Sequence, residues 1–428
     1  MRRVLFLFSV LLLTACAAAP QLASPPDVRP NPALDQIAWL QLGDGGAGEI
    51  RAVAEGANCP RFTQSNGIEI ALQLRAPAND AFARVCSAPL PAGAKVEGLP
   101  AIKARPERIL VLGDTGCRVL NLAVQSCNSP KDWPFPALAA SAARLKPDLV
   151  IDLGDYQYRE TPCPPGNDGC AGTPYGDNWP AWKADFFAPA APLLAAAPWI
   201  FVRGNHEDCH RAWRGFMRLL GPLPHSPDCA AHLAPYRVPL GGLTLLVMDN
   251  ADASDATVDA SKVPLYQAEL ADAVSPGAVP VWLAMHRPIW AVVTGPLNVP
   301  VGGNAQIIAA AEKTMITKPV ALMLSGHIHS FQAINYAGGQ PPPQIVAGNG
   351  GDTLHVIPAN LKGAIFQGHS GVAVQDGLSV GGFGFLLLTR GQGKWTIDLY
   401  DSAGVAEGQC LFDEAAGRVD CPRLPAGR

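Results

Sequence analysis

The sequence predicts a layered α/β fold with a small all-β domain ahead of it. Three observations carry that reading. From Arg108 onward, apolar strand-like runs alternate with stretches of helical periodicity. From Ile37 to Lys103 the segments are short, alternating and separated by turn residues, which suits strands alone. Five of the later strands end in a polar cluster, most of them marked by glycine.

Taken in order, residues 1–15 read as a signal peptide. Arg2 and Arg3 precede an apolar run, Val4 to Leu13, that is too short to span a bilayer. Leu13-Thr14-Ala15-Cys16 resembles a bacterial lipobox, in which the cysteine is lipidated and becomes the first residue after cleavage. Cleavage after a small-residue site such as Ala17-Ala18-Ala19 is the alternative. Ala17 after the cysteine points, by resemblance to such signals, to the periplasmic face of the outer membrane. Residues 16–36, with Pro20, Pro25, Pro26, Pro30 and Pro32, form an extended tether. No other segment approaches a membrane-spanning length.

Residues 37–105 give the small β domain, with "IAWLQL", "EIRAVAE" and "IEIALQLR" as strands. Its "GDGGAG", Gly43 to Gly48, matches a dinucleotide fingerprint in form only, because the residues after it alternate like a strand; a hairpin turn is expected. Residues 106–428 form the α/β domain with a β-rich tail. Its strands are "RILVLGD", "DLVIDLGD", "WIFVRGN", "LTLLVMD", "VPVWLAMH" and "PVALMLSGH". Helices are expected around Phe135–Leu145, Ala181–Ala195, Leu265–Ala273 and Ala305–Thr314.

The 428 residues are 48% hydrophobic and 16% charged, with a net charge of -4 and no basic run, so nucleic acid is not an expected partner. Setting Cys16 aside leaves ten of the eleven cysteines, which lie as near neighbours: Cys59 and Cys86, Cys117 and Cys127, Cys163 and Cys170, Cys209 and Cys229, Cys410 and Cys421. Five local disulfides in an oxidising compartment is the economical reading, although spacing alone does not fix the connectivity. A zinc cluster is disfavoured because no CxxC occurs.

The polar clusters are Gly113-Asp114-Thr115-Gly116, Gly154-Asp155 with Tyr158, Gly204-Asn205-His206-Glu207, His286, and Gly326-His327-Ile328-His329. Sites in α/β sheets form outside the carboxyl ends of strands. Hard oxygens mixed with imidazoles suit zinc, manganese or iron better than calcium.

The order GD…GDxxY…GNHE…H…GHxH resembles the calcineurin-like metallophosphoesterases, and within them the purple acid phosphatases, over roughly Arg108 to Ser330. The resemblance implies a four-layer sandwich of two mixed sheets flanked by helices, and a dinuclear metal centre. It implies Asp114, Asp155, Tyr158 and His329 on the first metal, and Asp155, Asn205, His286 and His327 on the second. It gives His206 the role of facing the phosphate and protonating the leaving oxygen, with Glu207 a candidate to orient it. Many members carry Asp-x-His in the first motif; here Gly116 stands in the histidine's place, and Tyr158 supplies the missing ligand. A phenol ionises near pH 10 when unperturbed. Holding it as phenolate calls for Fe(III) in the first site, with Fe(II), Zn or Mn in the second.

The implied activity is acid-phosphatase-like hydrolysis of phosphomonoesters by attack of a metal-bound hydroxide. The alternatives are a phosphodiesterase acting on cyclic nucleotides or phospholipid headgroups, and a non-catalytic metal-dependent surface lipoprotein. Arg203 and Arg287 flank the ligands and are candidates either for phosphate contact or for structural ion pairs. Asn178 and Trp179, in the stretch after the Cys163–Cys170 pair, are candidates for lining the site or for anchoring the next helix.

Overall fold

The computed structural model of the protein describes residues 37–294, 300–364, 366 and 371–424. The predicted signal peptide, Cys16 and the tether lie outside the described residues.

Alternation within the strands sets the layers. In strand Arg108–Leu112, Ile109 and Val111 point one way, and Leu110 and Leu112 the other. The first pair joins Ile151, Ile200, Leu245, Val247, Trp282 and Leu324 in a core between two sheets. The second pair packs with Phe135, Leu138, Leu193 and Phe186, side chains of the helical layer. In the second sheet Leu246, Leu283 and Met323 point outward, against Tyr266, Leu270 and Ile307 of helices Val263–Ala273 and Ala305–Ala311. The result is helix, sheet, sheet, helix: the expected four-layer sandwich.

Among the described residues the first sheet has eleven strands, and its parallel centre is Arg108–Leu112, Leu149–Asp152 and Trp199–Phe201. The second has seven described strands, with Thr244–Val247, Val281–Ala284, Val320–Ser325 and Gln344–Ala347 parallel. Strands Gly384–Arg390 and Lys394–Asp401 of the tail extend the first sheet on the far side of Arg108–Leu112.

Residues 37–105 extend the same sheet from its other edge. Strand Ile37–Leu42 lies parallel to Trp199–Phe201, with Gln41 opposite Trp199. Gly48–Ala54, Arg84–Leu90 and Gln73–Ala76 come next in order. A boundary at residue 105 therefore does not separate two sheets. The region keeps a small core of its own around Leu40, Ile50, Phe62, Leu72 and Cys86. "GDGGAG" is a hairpin turn between antiparallel strands, with Gly45 and Gly46 at φ of 67° and 77°.

A second tie crosses residue 105. The Arg51 guanidinium is fully buried and donates to the Leu219 and Gly221 carbonyls at 2.8 Å, and Arg75 donates to Met217, Arg218 and Gly221. Two cations thus satisfy the carboxyl end of helix Trp213–Leu219, where orphan carbonyls and the helix dipole favour positive charge.

All five cysteine pairs form as the spacing suggested: Cys59–Cys86, Cys117–Cys127, Cys163–Cys170, Cys209–Cys229 and Cys410–Cys421. The helix expected around Ala181–Ala195 is interrupted. A π-helical segment, Lys183–Phe187, separates Trp179–Trp182 from Ala188–Leu194. The distortion has a purpose. Asp185, within it, is fully buried and accepts from the Cys117 and Tyr158 N–H groups at 2.9 and 2.7 Å and from Arg159 Nε at 2.8 Å. It thereby fixes two loops of the site at once.

Candidate metal centre

The polar clusters meet where the parallel strands of both sheets end. Backbone strain concentrates there: five described non-glycine residues have positive φ, and three of them are Asp114, Asp155 and His327, at 57°, 61° and 66°. Such conformations cost about 1–3 kcal/mol each and persist where the surroundings over-determine them. Gly204 permits the close approach, since a Cβ there would meet Asp155 Oδ1 at 2.1 Å.

The Tyr158 hydroxyl lies 3.0 Å from Asp114 Oδ1, 2.9 Å from Asp155 Oδ2 and 3.2 Å from His329 Nε2. His329 Nδ1 faces the Thr353 carbonyl at 2.7 Å, so it carries the proton and Nε2 turns a lone pair inward. His286 is held the same way: its Nδ1 faces the Leu153 carbonyl at 2.7 Å, and its Nε2 lies 3.0 Å from Asp155 Oδ2 and 3.1 Å from Asn205 Oδ1. His327 Nε2 contacts Asp255 at 2.9 Å, which leaves Nδ1 for the centre. Asp155, His286 and His327 each present a ligand atom within 4.8 Å of the others.

This donor set fits cations. His286 Nε2 and Asn205 Oδ1, 3.1 Å apart, are two acceptors facing each other beside Asp155 Oδ2, an arrangement that needs a proton or a metal between them. Burial favours the neutral imidazole of His329, yet Asp352 and Asp114 lift it to about 9, so the site draws a positive charge, proton or metal, to Nε2. Burial, and then the carboxylates of Asp114 and Asp155, push the Tyr158 phenol well above its ordinary value. A phenolate at this position therefore requires a strong positive charge beside it.

His206 stands at the edge of this group. Its N–H donates to Asp155 Oδ1 at 2.8 Å, its ring lies 3.8 Å from the Tyr158 ring centroid, and its Nε2 is 3.9 Å from Asp155 Oδ2. Nδ1 sits 2.5 Å from Glu160 Oε1, and Arg211 is 3.6 Å from the same oxygen. Burial works against charge on Glu160, but His206 and Arg211 hold its carboxyl below the usual range.

Glu160 thus occupies the orienting place expected of Glu207. Glu207 instead accepts from four N–H groups, those of Asp155, Tyr156, Gln157 and Gly204, at 2.9–3.2 Å. It shapes the Asp155 loop and does not touch the His206 ring.

The four candidate substrate contacts are otherwise engaged. Arg203 is buried and donates to Glu207 O, Ala230 O and Asp249. Arg287 pairs with Asp255 and so backs His327. Asn178 caps helix Trp179–Trp182 through Ala181 N at 3.1 Å, and Trp179 packs on Phe187.

Four residues escaped the sequence reading besides Glu160: Asp255, Arg118, Asp352 and His355. Arg118 lies over the Tyr158 ring and pairs with Asp352, whose Oδ2 is 3.5 Å from His329 Nδ1. The His355 ring stacks on His329, with centroids 4.4 Å apart and planes 5° apart. A signal existed: "VAGNGGD" closes strand Gln344–Ala347 with the same glycine-marked ending as the other clusters.

A family model described as calcineurin-like phosphoesterase matches residues 107–331. Among solved structures, a purple acid phosphatase, PPD1, from yellow lupin (Lupinus luteus) seeds is similar at a TM-score of 0.56 and 12% identity, over 92% of this chain and 77% of that one. A structure of PhoD is similar at a TM-score of 0.55 and 12% identity, over 91% of this chain and 92% of that one. At such identity these likenesses speak to the fold. No curated protein matches the chain.

Proposed function

Because the chain belongs to the calcineurin-like phosphoesterase family, we propose that it hydrolyses phosphomonoesters at a centre of two metal ions. The observation that carries this reading is the Tyr158 hydroxyl, set within 3.2 Å of Asp114, Asp155 and His329 in a pocket that disfavours its ionisation. Asp114, Asp155, Tyr158 and His329 would hold the first metal, Fe(III). Asp155, Asn205, His286 and His327 would hold the second: Fe(II), Zn or Mn.

Bound metals supply Lewis acidity, drawing charge from phosphoryl oxygens and making water nucleophilic near neutral pH. The chain's own groups do the rest. Asp114 and Asp155, fixed in left-handed conformations, orient their carboxylates without searching. The Leu153 and Thr353 carbonyls lock the tautomers of His286 and His329. His206 gives the proton at Nε2 to the leaving oxygen, and the Glu160 carboxylate at Nδ1 steadies the protonated ring.

Metal analysis together with turnover tests this. About two metal ions per chain are expected, with hydrolysis of an aryl phosphate monoester well above that of the matching diester and loss of activity on chelation. A metal-loaded protein that hydrolyses neither ester would overturn the reading; faster diester turnover would move it to the phosphodiesterases.

Export and anchorage through lipid on Cys16 belong to the same proposal. Five disulfides favour an oxidising compartment such as the periplasm. Mass spectrometry of protein taken from its native membrane should find a diacylated Cys16 as the first residue; a mature terminus beyond it would refute the anchor.

A further inference from the structure

We propose that His355 contacts the substrate, donating from Nε2 to a non-bridging phosphoryl oxygen on the Tyr158 side of the centre. The inference rests on the phosphoesterase reading and adds a residue outside the ligand set, from a loop beyond the last histidine motif.

The tautomer is set by the backbone. The His329 N–H donates to His355 Nδ1 at 3.2 Å, so Nδ1 is the acceptor and the ring proton sits on Nε2. Nε2 has no protein partner among the described residues, and His355 is exposed. A donor held in a fixed direction and left open to solvent is what a bound oxyanion requires.

Its place is fixed from two sides. The near-parallel stack on His329 prevents the ring from turning. Asp352, three residues earlier, is buried and takes both Nε and Nη2 of Arg118. Arg118 in turn covers the Tyr158 ring at 4.9 Å. His355 and Arg118 therefore stand over neighbouring candidate ligands, His329 and Tyr158, and Arg118 Nη1 has no partner among the described residues. His206 approaches the centre from a separate motif, so the proposal gives the phosphoryl group a second fixed donor.

Two variants separate contact from support. His355→Phe keeps a flat ring on His329 but loses the donor; His355→Gln keeps a donor and loses the ring. Both are at an exposed position, and folding should survive. The probe is inorganic phosphate, titrated calorimetrically into the metal-loaded protein, alongside KM and kcat on an aryl phosphate. We expect His355→Phe to weaken phosphate binding and raise KM by roughly tenfold, the worth of one hydrogen bond to a charged group, with metal content unchanged. His355→Gln should recover part of the loss. Wild-type phosphate affinity in His355→Phe would overturn the proposal, as would loss of metal from that variant, which would make His355 a support for His329. If the metal-loaded wild type bound no phosphate and turned over no ester, the phosphoesterase reading itself would fall, and with it the role given to His355.

Discussion

Replacing His206 by asparagine should cut turnover by about 100- to 10,000-fold while both metals stay bound, the usual share of a general acid. The separation is possible because the two ends of this residue do different work. Its backbone N–H holds Asp155 Oδ1, and any side chain leaves that bond in place. The short turn Asn205–Glu207 is held by Glu207, whose four accepted hydrogen bonds do not involve the imidazole. The imidazole Nε2 lies 3.9 Å from Asp155 Oδ2, beyond bonding distance. Metal content and kcat in His206→Asn are the measurements. Glu160→Gln should change turnover in the same direction with a smaller loss, roughly tenfold, because the amide keeps the contact to Nδ1 and removes only the charge. Full turnover in His206→Asn with metals bound would reduce the residue to packing against Tyr158.

The candidate ligands were legible because each lies at or just past a strand end, and glycine marks most of those ends in the sequence. Strand runs such as "DLVIDLGD" and their order gave the α/β class, and the alternation of Ile109 and Val111 against Leu110 and Leu112 carries the layers. The groups that orient the ligands were not legible. Asp255 reaches His327 across 72 residues, and Asp352 reaches Arg118 across 234. Such pairings are set by tertiary packing and leave no local pattern. Glu207 misled because adjacency in a turn says nothing about direction: its carboxylate folds back on the Asp155 loop, and Glu160, from the preceding motif, meets the histidine. The N-terminal strands misled for a related reason. Short alternating segments read the same whether they close on themselves or add to an existing sheet edge, and one parallel pairing, Gln41 with Trp199, decides it.

On the proposed Fe(III) reading, Tyr158→Phe should abolish visible absorption in the oxidised, iron-loaded protein and remove the preference for Fe(III) that this reading gives the first site. Removing one oxygen leaves the ring against His206 and Arg118, so the fold should not change. The absorption would arise from charge transfer between phenolate and iron. Its presence in wild type and absence in the variant report ligation independently of turnover. The converse substitution is equally informative. Histidine at position 116 would restore the more common first motif, but a Cβ there meets Tyr158 Cδ2 at 2.7 Å, the Tyr156 carbonyl at 2.8 Å and Asp185 Oδ2 at 2.9 Å. The carbonyl is main chain, and Asp185 is tied by three hydrogen bonds, so neither yields easily. Gly116→His should therefore lose the first metal and most activity, in the Tyr158→Phe background as well as in wild type. The two ways of completing the ligand set exclude each other in this backbone: a tyrosine after the second strand requires glycine after the first. A Gly116→His, Tyr158→Phe protein that binds two metals and turns over normally would show that the loop adapts, and that the glycine answers to something other than the tyrosine.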